Sequence, residues 1–255
     1  SELVAIGQSR GAAYVYDLAT VRAAAARLKG LRSVHRVFFA MKANNSSDIL
    51  RALHDEGLNF ECVSPSEISR VMELFPGIDP QRILYTPNFA PRGDYEFGLE
   101  RGVWLTLDNL HPLRHWGDVC RERQVFLRID TGHGRGHHQH VKTAGNHSKF
   151  GIPLFELEEA RDLLSGCGAT VVGLHAHVGS GILTPENWQE VGSELVAVAE
   201  DFPDLRYLDL GGGLGVPEKS GQPPLDMAAV DRGIAEIRAA RPGLEVWLEP
   251  GRYLV

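Results

Sequence analysis

Lys42 is the residue with which the chemistry of this sequence begins. It follows the apolar run Val-Phe-Phe-Ala-Met at 37–41, which is too short for a core helix and is typical of a buried parallel strand. Burial at the end of such a strand would lower the pKa of the lysine toward that of a neutral amine. A neutral amine is a nucleophile that forms Schiff bases with carbonyl groups. For Lys42 taken alone, the alternative to a buried amine is a side chain whose ammonium group reaches solvent.

Other polar or flexible residues also follow predicted strands, so they are expected at one end of a parallel sheet. The run Gly211, Gly212 and Gly213 could bring backbone N–H groups close to a phosphate, although an ordinary turn fits equally well. Glu249 could hold a proton on a heterocyclic nitrogen, and Arg252 could bind a phosphate or a carboxylate. A Glu249–Arg252 salt bridge is the structural alternative. The strand-end candidates are Lys42, Glu61, Arg128, His177, Ser180, Gly211, Gly212, Gly213, Glu249 and Arg252.

His177 has three interpretations: a core residue, a metal ligand, or a flat surface for a planar cofactor. His175 lies two residues earlier, on the same side of the strand, which favours a metal. No carboxylate or cysteine accompanies the pair at a familiar zinc spacing, however, and the histidines at 137–140 are typical of a polar loop. We therefore predict no metal site.

Apolar runs and amphipathic segments alternate along the chain and must position these residues. Eight runs are predicted as strands, and residues 18–28 and 188–198 carry one apolar face at helical period. Strict alternation over about 250 residues predicts a single (β/α)₈ TIM barrel over residues 1–255, with an open doubly wound sheet as the alternative. The eight predicted strands are 36–40, 59–64, 82–86, 104–108, 125–130, 171–178, 207–210 and 246–249.

Several predicted helices carry start or stop signals. Ser64, Pro65 and Glu67 are typical of an N-cap, a first-turn proline and a capping-box glutamate. Thr184 before a proline predicts a second N-cap, and Gly57 and Gly166 are expected where helices end. The long irregular stretch at 131–149 follows the fifth strand, on the face where such barrels keep their active sites.

The composition excludes several classes of protein. The chain has 255 residues, 43% of them hydrophobic, and a net charge of −7, which does not indicate a nucleic-acid or anionic-membrane surface. No apolar stretch approaches the roughly 20 residues that span a bilayer. Three scattered cysteines without ligand spacing fit a reducing cytoplasm. The chain starts at a serine rather than a methionine and stops in an apparent strand, so we expect a fragment.

Four motifs together resemble the barrel motifs of the alanine-racemase-fold (fold-type III) decarboxylases, which use pyridoxal 5'-phosphate (PLP). The resemblance runs over essentially the whole chain and in the right order. The motifs are Phe-Phe-Ala-Met-Lys-Ala-Asn at 38–44, His-Ala-His-Val-Gly-Ser-Gly at 175–181, the glycine run at 211–213 and Glu-Pro-Gly-Arg at 249–252.

This resemblance implies a role for each matching residue. Lys42 would bind PLP covalently, His177 would stack on the pyridine ring, and Glu249 would pair with the ring nitrogen; these three are the implied catalytic residues. Arg128 would approach the ring-oxygen side, and Arg252 would contact the phosphate or the substrate carboxylate. Ser180, Gly211, Gly212 and Gly213 would bind the phosphate, and Gly251 is implied as a further cofactor-binding residue.

Within the family, the similarity is greatest to the diaminopimelate decarboxylases. The segments at 132–139 and 146–152 resemble their loop after strand five, whereas Glu61 stands where relatives often have aspartate. The implied reaction converts meso-2,6-diaminopimelate to L-lysine and CO₂, the last step of lysine biosynthesis. Racemases of this fold place an arginine against the ring nitrogen, so Glu249 favours decarboxylation. The alternatives are ornithine, arginine or carboxynorspermidine decarboxylation and a non-catalytic single-domain PLP-binding protein.

The resemblance also implies parts beyond this sequence. Family members carry a C-terminal β domain and act as homodimers in which the partner subunit completes each active site. We expect the present chain to supply the PLP-binding barrel of a cytoplasmic enzyme for a small amino-acid substrate. By itself it would decarboxylate poorly or not at all.

Overall fold

The alternation of strands and helices that the sequence predicts is confirmed in the computed structural model, which describes residues 2–132 and 149–255. The strands are β1 (Arg36–Ala40), β2 (Asn59–Cys62), β3 (Ile83–Tyr85), β4 (Trp104–Leu107), β5 (Gln124–Asp130), β6 (Ile152–Pro153), β7 (Thr170–His175), β8 (Tyr207–Asp209) and β9 (Glu245–Leu248). The helices are α1 (Glu2–Arg10), α2 (Leu18–Lys29), α3 (Ser47–Asp55), α4 (Pro65–Leu74), α5 (Arg92–Glu100), α6 (His111–Trp116), α7 (Leu157–Cys167), α8 (Glu186–Val198) and α9 (Met227–Ala240).

The strands close into a parallel barrel. Neighbours pair in the order β1, β2, β3, β4, β5, β7, β8, β9, and β9 pairs back to β1, which makes eight barrel strands in the described part of the chain. The two-residue β6 adds to the end of β5 outside this ring. The (β/α)₈ TIM barrel is therefore confirmed and the open-sheet alternative is wrong, because an open sheet would leave two unpaired edges.

Aromatic side chains fill the lower part of the barrel interior. The Phe126 and Trp247 rings lie 5.1 Å apart, and the Tyr207 and Trp247 rings 4.6 Å apart. This buried cluster consists of Phe38, Leu84, Trp104, Phe126, Val172 and Trp247, with Tyr207 packed against it. A second, larger core lies between the barrel and the helices. The described part of the interior is thus packed at its floor, and a ligand inside the barrel is expected at the strand C-termini.

The start of α4 has the predicted cap. The Glu67 N–H donates to Ser64 Oγ at 3.3 Å, and the Val63 N–H donates to Glu67 Oε2 at 2.6 Å. The apolar faces predicted at 18–28 and 188–198 are the buried faces of α2 and α8. Within the described residues, no helix has the length and apolar character needed to cross a membrane.

Three local predictions are wrong. The strand predicted at 171–178 ends at His175, so His177 lies in the loop beyond it. Gly166 lies inside α7, and Gly168, with a φ of +72°, ends the helix in the left-handed conformation that glycine favours. Thr184 makes no side-chain cap, since α8 begins after Pro185 without one. The sequence did not lead us to predict helix α1.

Candidate active site

Lys42 lies in a single 3₁₀ turn, Met41–Ala43, directly after β1. Its side chain is 57% exposed, and Nζ lies 3.5 Å from Oε2 of the fully buried Glu61. The contact follows from the register of the parallel pair, in which Ala40 of β1 lies opposite Glu61 of β2. The barrel therefore places a carboxylate beside the amine, although the two residues are 19 positions apart.

The expected direction of the Lys42 pKa is wrong. The attraction of Glu61 outweighs burial and raises the pKa of Lys42 above its ordinary value, so the free side chain is an ammonium group. Burial raises the pKa of Glu61 to about 7 despite the nearby ammonium. Lys42 is therefore protonated at neutral pH, whereas Glu61 gains or loses its own proton near pH 7.

The imidazole of His177 faces the barrel mouth as a neutral ring. The Gly212 N–H donates to His177 Nδ1 at 3.2 Å, so this nitrogen must be an unprotonated acceptor. Burial, followed by the cations Lys42 and Arg128, lowers the pKa of His177 to about 3. A neutral imidazole with a fixed orientation is suited to pack against a flat ring.

The glycine run is required by close packing against the loops after β7 and β9. A Cβ on Gly212 would lie 2.2 Å from the Glu249 carbonyl oxygen, and one on Gly213 would lie 2.5 Å from the Gly179 carbonyl oxygen. Gly213 also has a φ of +84°, which other residues rarely adopt. The Glu249 N–H donates to Gly211 O at 2.8 Å, which joins the run to the end of β9.

Glu249 is buried directly after β9. Burial acts to raise the pKa of its carboxyl group, but His175, Lys42 and His177 together outweigh burial and lower the pKa to about 2. His175 Nε2 lies 3.4 Å from Glu249 Oε2. Glu249 is therefore an anion at neutral pH. The alternative Glu249–Arg252 salt bridge does not form, and Arg252 pairs with Glu218.

The two arginines of the predicted site differ in their surroundings. Arg128 is buried, and its Nη1 donates to Asp108 Oδ1 at 3.1 Å and to Asn88 Oδ1 at 3.3 Å. Arg252 is largely exposed, and its Nη1 donates to Glu218 Oε1 at 3.1 Å. Arg128 is thus held below the mouth by a neighbouring strand, whereas Arg252 can turn from Glu218 toward a ligand.

Most of the predicted site residues line one cavity at the mouth, with a volume of about 440 Å³. Within the part of the chain that the structure describes, its lining includes Lys42, His177, Ser180, Gly213, Glu249, Gly251 and Arg252. Arg128, Gly211 and Gly212 do not line it; they lie behind residues that do. The parts of the predicted loop at 133–139 and 146–148 and the histidines at 137–140 lie outside the described residues.

The lining fits a phosphate and a flat ring. The Ser180 hydroxyl and the Gly213 N–H make no hydrogen bond to another residue in the described ranges, so both can bind an anion. A Cβ on Gly251 would lie 3.0 Å from that of Ala43, so little room remains for a side chain there. The amine, the neutral ring and the carboxylate border the same space, as a pyridoxal-type cofactor requires.

The sequence interpretation missed two carboxylates at the barrel mouth. Asp108 and Asp209 are fully buried at the ends of β4 and β8. Asp108 binds Arg128, and Asp209 Oδ1 accepts the Gly211 N–H at 2.9 Å. Asp108 closes its predicted apolar run and Asp209 lies next to the end of its run, and these positions were the signal for including them.

Comparisons with known proteins agree with this geometry. A family profile described as "Pyridoxal-dependent decarboxylase, pyridoxal binding domain" matches residues 18–255. The diaminopimelate decarboxylase of Methanothermobacter thermautotrophicus is 35% identical, over 95% of this chain and 60% of the relative. That of Escherichia coli K12 is 32% identical, over 95% of this chain and 59% of the relative. The chain thus spans about three fifths of the length of these relatives.

Solved structures give the same result. A crystal structure of a diaminopimelate decarboxylase superposes with a TM-score of 0.86 and 28% identity, and the match covers 99% of this chain and 61% of that one. The enzyme from Helicobacter pylori complexed with L-lysine superposes with a TM-score of 0.85, covering 99% of this chain and 66% of that one. Its 23% identity supports the shared fold alone.

Proposed function

Because this chain belongs to the pyridoxal-dependent decarboxylase family through its pyridoxal-binding domain, we propose that it is the cofactor-binding barrel of a diaminopimelate decarboxylase. The reaction would convert meso-2,6-diaminopimelate to L-lysine and CO₂. The observation that carries the proposal is the meeting of Lys42, His177 and Glu249 in one cavity. Curated relatives with that name align over nearly the whole chain.

PLP supplies an electron sink for the electron pair that remains on Cα when CO₂ leaves. Lys42 Nζ would bind the cofactor aldehyde with loss of water after its ammonium group has released a proton, and Glu61 would hold the ammonium group until then. The Glu249 carboxylate would hold a proton on the pyridine nitrogen, since its own pKa of about 2 keeps it ionised. A protonated ring nitrogen strengthens the sink.

The remaining residues would bind and orient. The neutral His177 ring would pack on the pyridine face, and the hydroxyl of Ser180 and the N–H groups of Gly213 and Gly251 would bind the phosphate. Gly211 and Gly212 would hold that turn in place. Arg252 would leave Glu218 for the phosphate or the substrate carboxylate. Arg128, held by Asp108, would add its positive charge to the electrostatic potential at the barrel mouth.

The proposal extends to the assembly. The active enzyme would be a cytoplasmic homodimer, and residues outside this sequence would complete the substrate site. The proposed β domain would be one source of them, in keeping with the greater length of the relatives. Contacts to the far end of the substrate would then come mostly from outside the barrel.

The first test is covalent cofactor binding. We expect the wild-type chain to gain visible absorbance with PLP that borohydride reduction fixes to Lys42, and Lys42→Ala to lose it. Lys219→Ala, which changes an exposed lysine, is the matched control. Equal absorbance in wild type and Lys42→Ala would overturn the assignment.

The second test is substrate choice in the full-length gene product. Release of CO₂ from meso-2,6-diaminopimelate, well above that from ornithine, arginine or carboxynorspermidine, is the expected result. Preference for one of those three would replace the proposed substrate. Cofactor binding without any CO₂ release would favour a non-catalytic PLP-binding protein.

A further inference from the structure

A buried polar trio lies beneath the cavity, and the proposed function leaves two of its members without a role. His175 ends β7, Asp209 ends β8 and Glu249 follows β9, and the side chains are 1%, 0% and 6% exposed. Strand register places His175 opposite Asp209. One nitrogen or oxygen from each residue lies within 4.8 Å of the others.

If the carboxyl groups of Asp209 and Glu249 are both ionised, the trio has more buried hydrogen-bond acceptors than donors. Asp209 Oδ1 accepts the Gly211 N–H, and Glu249 Oε2 faces His175. Asp209 Oδ2 and Glu249 Oε1, like both ring nitrogens of His175, are buried and have no hydrogen-bond partner among the described residues. A buried acceptor without a donor costs about 1–3 kcal/mol, and more when charged. One proton between these two oxygens would satisfy both.

The surrounding charges decide which carboxyl group keeps that proton. Burial, and next the Glu249 carboxylate, raises the pKa of Asp209 far above its ordinary value. Glu249 faces the nitrogen-bearing side chains of His175, Lys42 and His177. The charges that act on Asp209 are those of the acidic residues Glu249 and Glu61, although His175 also lies opposite it in the neighbouring strand. Two adjacent buried carboxyl groups do not both ionise, so the proton belongs on Asp209.

We propose that Asp209 is a neutral carboxylic acid that donates from Oδ2 to Glu249 and accepts the Gly211 N–H on Oδ1, and so positions both the ring-nitrogen carboxylate and the phosphate turn. His175 Nε2 lies 3.4 Å from the other carboxylate oxygen, Glu249 Oε2. Asp209 is a positioning residue, because it does not line the cavity. This inference rests on the proposed role of Glu249.

The test uses a variant that imitates the neutral acid. The amide of Asp209→Asn can accept from Gly211 and donate to Glu249, whereas Asp209→Ala can do neither. We expect Asp209→Asn to bind PLP within about threefold of wild type, and Asp209→Ala to bind about tenfold or more weakly. Asp204→Asn, which changes an exposed aspartate, is the matched control. Similar losses in Asp209→Asn and Asp209→Ala would overturn the proposal.

Two readouts on the cofactor-free chain separate this proposal from the proposed function. Infrared spectra at neutral pH should contain the C=O stretch of a protonated carboxylic acid that Asp209→Asn removes and Asp204→Asn retains.

The stability gained from a raised carboxyl pKa is lost as pH rises, so wild type should lose more stability than Asp209→Asn between acid and neutral pH. An unchanged infrared band, or a stabilisation by Zn²⁺ that Asp209→Asn abolishes, would contradict a neutral Asp209.

Discussion

At the scale of single residues, Lys42 and Glu61 set each other's protonation. Their contact spans β1 and β2, with the lysine half-exposed at the mouth and the glutamate buried below it. The pKa of Lys42 rises because of Glu61, and burial raises the pKa of Glu61. The amine is therefore held as a cation by the Glu61 carboxylate.

Replacement of Glu61 should make the amine available at lower pH. In Glu61→Gln the main cause of the raised Lys42 pKa is gone, so the pH midpoint for reaction with PLP should move down. Stopped-flow absorbance across a pH series measures this midpoint. Glu73→Gln changes an exposed glutamate and should leave it in place. A midpoint that Glu61→Gln leaves unchanged would mean that the ion pair does not control the amine.

At the scale of elements, the turns after β7, β8 and β9 hold each other. Gly212 donates to His177 and packs against the Glu249 carbonyl, so one glycine joins three turns. The Trp188 Nε1–H of α8 also donates to Gly212 O at 3.2 Å. The mouth is therefore positioned by backbone contacts between loops as well as by the strands.

A methyl group at Gly212 should disturb all three turns. Gly212→Ala places Cβ 2.2 Å from the Glu249 carbonyl, and such overpacking typically costs about 1–3 kcal/mol of unfolding free energy. PLP binding should weaken too, because His177 and Glu249 shift together. Urea unfolding and PLP titration measure both effects.

Gly166→Ala is the matched control for that prediction. Gly166 lies in α7, and no atom lies within 4 Å of the position that an alanine methyl group would take there. Because alanine also favours the helix, this change should stabilise the protein by up to about 1 kcal/mol. Equal effects of the two glycine changes would contradict the close packing of the turns.

At the scale of the whole molecule, the barrel divides into an aromatic floor and a polar mouth. The Trp247 ring lies 4.9 Å from Phe38 and 4.6 Å from Tyr207. Trp247 is in β9, and Glu249 follows the end of that strand two residues later. The floor excludes water from below, which strengthens the electrostatic interactions among the buried groups above it. Stability and site chemistry therefore depend on the same strands.

Loss of the central ring should destabilise the fold. Trp247→Ala should lower the free energy of unfolding by about 3–5 kcal/mol, because it opens a cavity between the strands. Tyr14→Ala, at a ring that is 92% exposed, should change it by less than about 0.5 kcal/mol. Chemical denaturation compares the two, and a small effect of Trp247→Ala would show that the floor tolerates a cavity.

The sequence by itself determined the alternation of elements and most of the residues at the mouth. Short apolar runs and helical periods are local patterns, and every strand of a parallel barrel brings its C-terminus to the same face. Position after a strand therefore sufficed to bring Lys42, His177, Ser180 and Glu249 to one end of the barrel. The cap at Ser64 was equally local.

Only the tertiary structure decided the partners and the protonation of these groups. Pairing of neighbouring strands brings Glu61 to Lys42, Asp209 to Glu249 and Asp108 to Arg128, and Arg252 pairs with Glu218. The expected neutral lysine was wrong for this reason, since its pKa depends on a carboxylate from another strand. Electrostatic interactions act over distances in space, and strand register and closure fix those distances between residues far apart in the chain.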